Sequence, residues 1–103
     1  VEMARDEVAA LLPTGGRVIF TSGATEAINW ALRSGARLKP GSLVASAIEH
    51  AAVLQCVEAM GGDLLPVDGE GIAIVPDGLP ENGLAALMLV NNEIGTIQPV
   101  SEW

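Results

Sequence analysis

Val1, Ala4, Val8, Leu11 and Leu12 recur at helical spacing, with Glu2, Arg5, Asp6 and Glu7 between them. Pro13-Thr14-Gly15-Gly16 stops that helix. RVIFTS, residues 17–22, is rich in β-branched and aromatic side chains and predicts a short buried strand. A helix is expected from Ala24 to Leu32, with Ala27, Ile28, Ala31 and Leu32 on one face and Ser34-Gly35 as its close. Lys39-Pro40-Gly41 predicts a turn, SLVASA a second strand, and Glu49-His50 stands at that strand's end. Ala51 to Met60 reads as a helix with Val53, Leu54, Val57 and Met60 apolar, stopped by Gly61-Gly62. DLLPVD is a third extended run. Its Pro66 cannot donate to a ladder, which places the run at a sheet edge or ends it early. Gly and Pro residues interrupt the pattern from Gly69 to Gly83, with a helical turn expected near Pro80. ALMLV, residues 86–90, is continuously apolar and suits a strand buried on both faces, after which NNEIGTIQPV leaves the sheet.

Strands alternating with helices predict an α/β fold, a mainly parallel sheet with flanking helices. Crossovers in such a sheet are right-handed. Ligands in open sheets of this kind sit beyond the carboxyl ends of the strands. The loops that follow strands one, two and four are SGATE, EH and NNE, and all three are expected to face one crevice.

Composition narrows the partners. A chain of 103 residues, half of them apolar, makes one domain-sized segment with a modest core. Its aromatics are Phe20, Trp30 and Trp103, so aliphatic side chains must fill that core. The net charge of −8 argues against nucleic acid, which needs basic side chains to replace counterions, and against an anionic membrane surface. A bound anion would have to be held by local donors rather than by a broad positive field. Cys56 is the single cysteine, which excludes an internal disulfide and a multi-cysteine metal site; no metal ligand set is expected. No apolar run approaches membrane-spanning length, and VEMARDEVAAL is not a signal peptide. With one cysteine and no signal segment, a reducing cytoplasm is expected. The chain opens on Val1 and closes on SEW, and both ends are expected to be cuts through a longer protein.

Three clusters carry candidate chemistry. In SGATE, Gly23 allows close backbone approach, Ala24 is small, Thr25 offers a hydroxyl, and the next amides open a helix. Such an end either binds phosphate through its unbonded N–H groups or is capped by Ser22 or Thr25, with Glu26 in the first turn. It matches neither the Walker pattern nor G-x-G-x-x-G. His50 either caps the following helix or stacks on a flat ligand and shuttles a proton. Glu49 beside it reads as a solvated N-terminal acid. Asn91 and Asn92 either make a turn or aim a side-chain amide at a ligand oxygen. Cys56 reads as a core residue. Lys39, in a loop at the opposite end of strand two, is a poor candidate for a Schiff-base lysine, which needs a desolvated pocket.

FTSGATEAIN, IEHAAVL and VNNEIGTIQPV, in this order and spacing, resemble the cysteine desulfurase family, within the class V aminotransferase-like group of fold type I pyridoxal-phosphate enzymes. VNNEIG followed by Gln98 is the most specific motif, and the resemblance spans nearly all 103 residues. It implies that residues 1–103 are a single segment of the large cofactor-binding domain, and that pyridoxal 5′-phosphate is the cofactor. Ala24 and Thr25 would hold its phosphate. His50 would stack on the ring and assist proton transfers. Asn92 would lie near the ring oxygen and the substrate carboxylate. The parent would convert L-cysteine to L-alanine, passing sulfur to an enzyme cysteine. A homodimer, a sulfur-acceptor protein and iron–sulfur cluster assembly are further implications.

The departures are equally specific. The family's Ser-x-His-Lys segment, its Asp-x-x-Gln segment, its mobile cysteine and its Ala-Thr-Thr-Pro-like N-terminal motif have no match here. Cys56 does not match the mobile cysteine. No lysine follows Lys39, so the 103 residues alone are expected to be inactive. Two other readings stay open: another class V enzyme (a selenocysteine lyase, an aminotransferase or an epimerase), or a non-catalytic α/β domain that binds an anion or a partner.

Overall fold

The computed structural model describes residues 1–13, 15–77 and 81–102. Helix α1 (Glu2–Ala9) is followed by α2 (Ala24–Leu38), β1 (Ser42–Ser46), α3 (Ala51–Ala59), β2 (Asp63–Leu65), β3 (Gly83–Ala86) and a 3₁₀ turn at Val100–Glu102. β1 is the central strand. It pairs in parallel with β2 through Val44–Asp63 to Ser46–Leu65, and with β3 through Ser42–Gly83 to Ala45–Ala86. All three strands therefore end at the same edge of the sheet, as the alternating pattern requires. The edge position expected for DLLPVD is observed, with the strand ending at Leu65, just before Pro66.

The core forms where α2 and α3 pack on each other and on the sheet. Leu43 and Ala45, two apart on β1, meet Leu32 of α2 and Val53, Cys56 and Val57 of α3. Ile28, Met60, Leu84 and Ala86 close over them. Cys56 is buried in this cluster, as expected of a core cysteine. Residues 43–46 of β1 are buried on both faces, so its continuous apolar run reflects a central strand. α3 ends at Ala59 with Met60 as its C-cap, and Gly61 then takes φ +74°. The chain then turns into β2 at Gly62.

Four expectations are corrected. The helix that opens at Ala24 does not close at Ser34-Gly35 but continues to Leu38, and Gly35 is tolerated because it lies against Leu84. Residues 17–22 form no paired strand; they find no hydrogen-bonding neighbour in this sheet, and Ile19 and Phe20 stay half exposed. The strand expected at 86–90 instead pairs over Gly83–Ala86, and no residue of β3 is fully buried because it is an edge strand here. Leu89 and Val90 lie beyond the ladder and are exposed. Finally, α1 ends at Ala9, short of Leu11 and Leu12, and buries none of its residues, since its apolar stripe has no described surface to pack on. The helical turn expected near Pro80 falls outside the described residues.

Candidate functional site

The turn into α2 is built on Gly23. It is the N-cap, with φ 165° and ψ −176°, an extended conformation, and it supplies no side chain to cap the helix. The first intrahelical bond runs from Ala27 N to Gly23 O at 3.2 Å. Among the described residues, no hydrogen bond takes up the amides of Ala24, Thr25 or Glu26, and none uses the Thr25 hydroxyl. The expected cap by Ser22 or Thr25 is therefore not made. Ser22 instead donates its amide to Glu26 Oε2 at 3.0 Å and its hydroxyl to the same oxygen. The Ser22 hydroxyl, first, and its amide, second, hold the Glu26 carboxyl below its ordinary range. The turn is thus held from outside, and the three leading N–H groups remain directed off the helix end, where the dipole favours an anion.

The loop after β1 brings His50 to the N-cap of α3. Its Nδ1 accepts from Ala52 N at 3.1 Å, so the neutral ring carries its proton on Nε2. The capping role is thus real, and it leaves the exposed ring and Nε2 available. Glu49, expected to be solvated, is 8% exposed. Its Oε2 accepts from the Ser46 hydroxyl at 2.7 Å and from Met88 N at 3.0 Å. The carboxylate takes the amide that a longer β3 would have offered to a neighbouring strand, which is one reason the ladder stops at Ala86.

The loop after β3 is closed by Asn91. Its Oδ1 accepts from Glu93 N at 2.8 Å and Ile94 N at 3.0 Å, and its Nδ2 donates to Ile48 O at 2.8 Å. Its backbone bonds Thr96 O and Gly95 N. Asn91 is 6% exposed and its side chain is fully engaged, whereas Asn92 is exposed and its side chain has no partner among the described residues. The turn reading therefore holds for Asn91, and Asn92 is the amide left for a ligand. Gln98, 3% exposed, completes the frame: Oε1 accepts from Ala73 N at 3.0 Å and Nε2 donates to Gly71 O at 2.7 Å. It ties the 89–98 loop to the hairpin around Gly71.

Two of the three expected clusters are thus laced together at the carboxyl end of β1. The third, at Gly23–Glu26, makes only local hydrogen bonds among the described residues. The supporting roles of Glu49 and Gln98 escaped the residue-by-residue reading. The available signal for Glu49 was Ser46 three residues earlier, at the end of a buried strand. Surface hollows among the described residues lie elsewhere. One of about 370 Å³ runs between residues 17–21 and the Trp30 side of α2, and one of about 350 Å³ lies between α1 and residues 16–18. Neither is lined by Ala24, Thr25, His50 or Asn92. Among the described residues there is no cluster of His, Cys, Asp and Glu able to hold a metal, and no helix long and apolar enough to cross a membrane.

The described residues thus form a parallel α/β layer with an uncapped helix N-terminus and with exposed imidazole and amide groups beyond its strands. The chain belongs to the class V aminotransferase family, whose pattern matches residues 1–103. It is 40% identical over 115 residues to the cysteine desulfurase IscS of Clostridium botulinum (strain Kyoto / Type A2), covering 99% of this chain and 29% of that protein. Among solved structures it superposes on a NifS-like protein with a TM-score of 0.81 at 35% identity, covering 98% of this chain and 31% of the other. DndA from Streptomyces lividans gives 0.76 at 37% identity, with 98% and 32% covered. The mixed α/β fold with its parallel sheet is therefore shared with these proteins. The chain spans less than a third of the length of the relatives it matches.

Proposed function

We propose that this chain is the cofactor-cradling part of a pyridoxal-phosphate-dependent cysteine desulfurase, and that the whole protein takes sulfur from L-cysteine, leaving L-alanine. One observation carries the reading. At the carboxyl end of β1, Glu49 and Asn91 are consumed by the fold, while the next residue in each case stays exposed, His50 with Nε2 and Asn92 with its side-chain amide unpartnered among the described residues. These are the positions to which the family resemblance gives ring-facing roles.

The donors present suit the group. Three unbonded amides, the Thr25 hydroxyl and a helix N-terminus can hold a phosphate without a basic side chain, which a chain of net charge −8 requires. Ala24, whose side chain is a single methyl, lets the phosphate approach the backbone. Pyridoxal phosphate, when bound, supplies an electron sink for the α-carbon of an amino acid. His50 would lie against the ring. Because its Nδ1 is committed to Ala52, any proton it exchanges moves at Nε2. Asn92 would orient the ring oxygen and the substrate carboxylate through its side-chain amide.

Lys39, the single lysine, is the C-cap of α2 and precedes β1, at the far end of that strand from His50. These 103 residues would therefore bind the cofactor without covalent attachment and would not release sulfide. A homodimeric parent, a cytoplasmic setting, a sulfur-acceptor partner and a place in iron–sulfur assembly belong to the same reading.

Titration of the chain with pyridoxal phosphate, followed by fluorescence, tests it. Thr25→Ala is expected to weaken binding about tenfold, the worth of a charge-assisted hydrogen bond, and inorganic phosphate is expected to compete. Measurable binding that Thr25→Ala leaves unchanged would overturn the phosphate assignment.

A further inference from the structure

The two loops beyond β1 and β3 are joined by two side-chain-to-backbone hydrogen bonds, with one side chain contributed by each loop. Glu49, on the first loop, accepts from Met88 N on the second at 3.0 Å, and Asn91, on the second, donates to Ile48 O on the first at 2.8 Å. Both side chains are buried, and Glu49 is braced by the Ser46 hydroxyl, itself at 0% exposure. Each is followed at once by an exposed residue, His50 after Glu49 and Asn92 after Asn91.

We infer that Glu49 and Asn91 form a reciprocal latch whose work is to set the distance and orientation of the His50 ring relative to the Asn92 amide. Glu49 is thus a positioning residue, acting through Met88 on the loop that carries Asn92. The sheet ladder does not reach that far, since the last β1–β3 pair is Ala45 with Ala86. Beyond it, among the described residues, the latch is the side-chain hydrogen-bonded tie between the two loops. A carboxylate suits the task because one oxygen accepts two donors from different segments, and charged acceptors form the stronger hydrogen bonds. The inference rests on the reading of His50 and Asn92 as ring-facing groups only in what the latch is for; the coupling itself can be measured without a ligand.

The test uses the 103-residue chain and the variants Glu49→Ala, Glu49→Gln and Ser46→Ala. Without ligand, Glu49→Ala is expected to shift the NMR signals of both the Asn92 side-chain amide and the His50 ring, and to speed exchange of the Met88 amide about tenfold. The Ala24 and Thr25 amides are expected to keep their positions. Glu49→Gln, which keeps an acceptor oxygen, restores the pattern. Ser46→Ala gives a weaker version of it and serves if Glu49→Ala does not fold. Unmoved Asn92 signals in a folded Glu49→Ala or Ser46→Ala chain would overturn the latch.

The cofactor arm separates the two ideas. Glu49→Ala is expected to weaken pyridoxal phosphate about tenfold while leaving inorganic phosphate binding unchanged, since misplacing the ring contacts spares the phosphate grip. Equal losses for both ligands would mark a general structural role and overturn the positioning function. Insensitivity of binding to Thr25→Ala counts against the cofactor reading and leaves the ligand-free coupling to decide the latch.

Discussion

The Glu26 carboxylate reaches back across the start of α2 to Ser22 and accepts both its amide and its hydroxyl through one oxygen. This contact closes the turn without filling the helix end. The cap position belongs to Gly23, which has no side chain to offer, so the leading amides remain open.

The contact makes the turn pH-sensitive. Ser22 lowers the Glu26 pKa from its ordinary 4.5, so the folded state holds this proton less tightly than the unfolded one. Its contribution is full above the ordinary value and is lost as pH falls through the lowered folded value. Protection of the Ser22 amide, its exchange rate taken relative to the intrinsic rate at each pH, should fall only in that acidic window on titration down from pH 6. Glu26→Gln should abolish the pH dependence. Because the group is fully exposed, the effect is local and salt-screened.

Asn91 and Asn92 should separate cleanly on substitution. Asn91→Ala leaves the Ile48 carbonyl and two loop amides without partners, an expected loss of about 2–3 kcal/mol. Asn92→Ala removes an exposed side chain with no described partner and should stay within about 0.5 kcal/mol of the parent chain. Urea denaturation of the two variants checks the contrast.

Gly83 begins β3 with φ +140°, and a β-carbon there would stand 2.0 Å from the Ser42 carbonyl oxygen. Gly83→Ala therefore combines a disfavoured backbone with a backbone clash, and a loss of about 3 kcal/mol or more is expected. Gly69→Ala, where nothing lies within 4 Å, is the control and should be close to neutral. Thermal unfolding followed by circular dichroism measures both.

Gln98 serves the hairpin as donor and acceptor at once, which a carboxylate cannot do. Gln98→Glu keeps the bond from Ala73 N but turns an oxygen toward the Gly71 carbonyl. The expected cost is about 2 kcal/mol, lessened at low pH where the acid can donate. Denaturation midpoints at pH 7 and pH 4 test the sign.

Much of this was legible in the residues. The period of Ala51 to Met60, the β-branched run at β1, the edge position signalled by Pro66 and the core placement of Cys56 follow from local physics. The Asn turn and the capping histidine were both among the readings the residue types allowed. What local pattern could not supply was pairing. The runs at 17–22 and 86–90 have good strand composition, yet a strand exists only where a neighbour offers donors and acceptors in register. In this sheet the first finds none, and the second pairs only through its preceding residues. Likewise, Ser34-Gly35 resembles a helix stop, but packing of Gly35 against Leu84 carries α2 on to Leu38.

By itself, then, the sequence determined the α/β class, the order of most elements, the family and which residue types stand at the strand ends. The tertiary structure decided the division of labour among them. Glu49, Asn91 and Gln98 are polar residues that sequence would leave in solvent. They are buried because each meets, across 25 to 43 residues of chain, a backbone group that needs a partner. Such long-range pairing leaves no local signature, and only the folded chain shows that Glu49 and Asn91 hold the frame while His50 and Asn92 face outward from it.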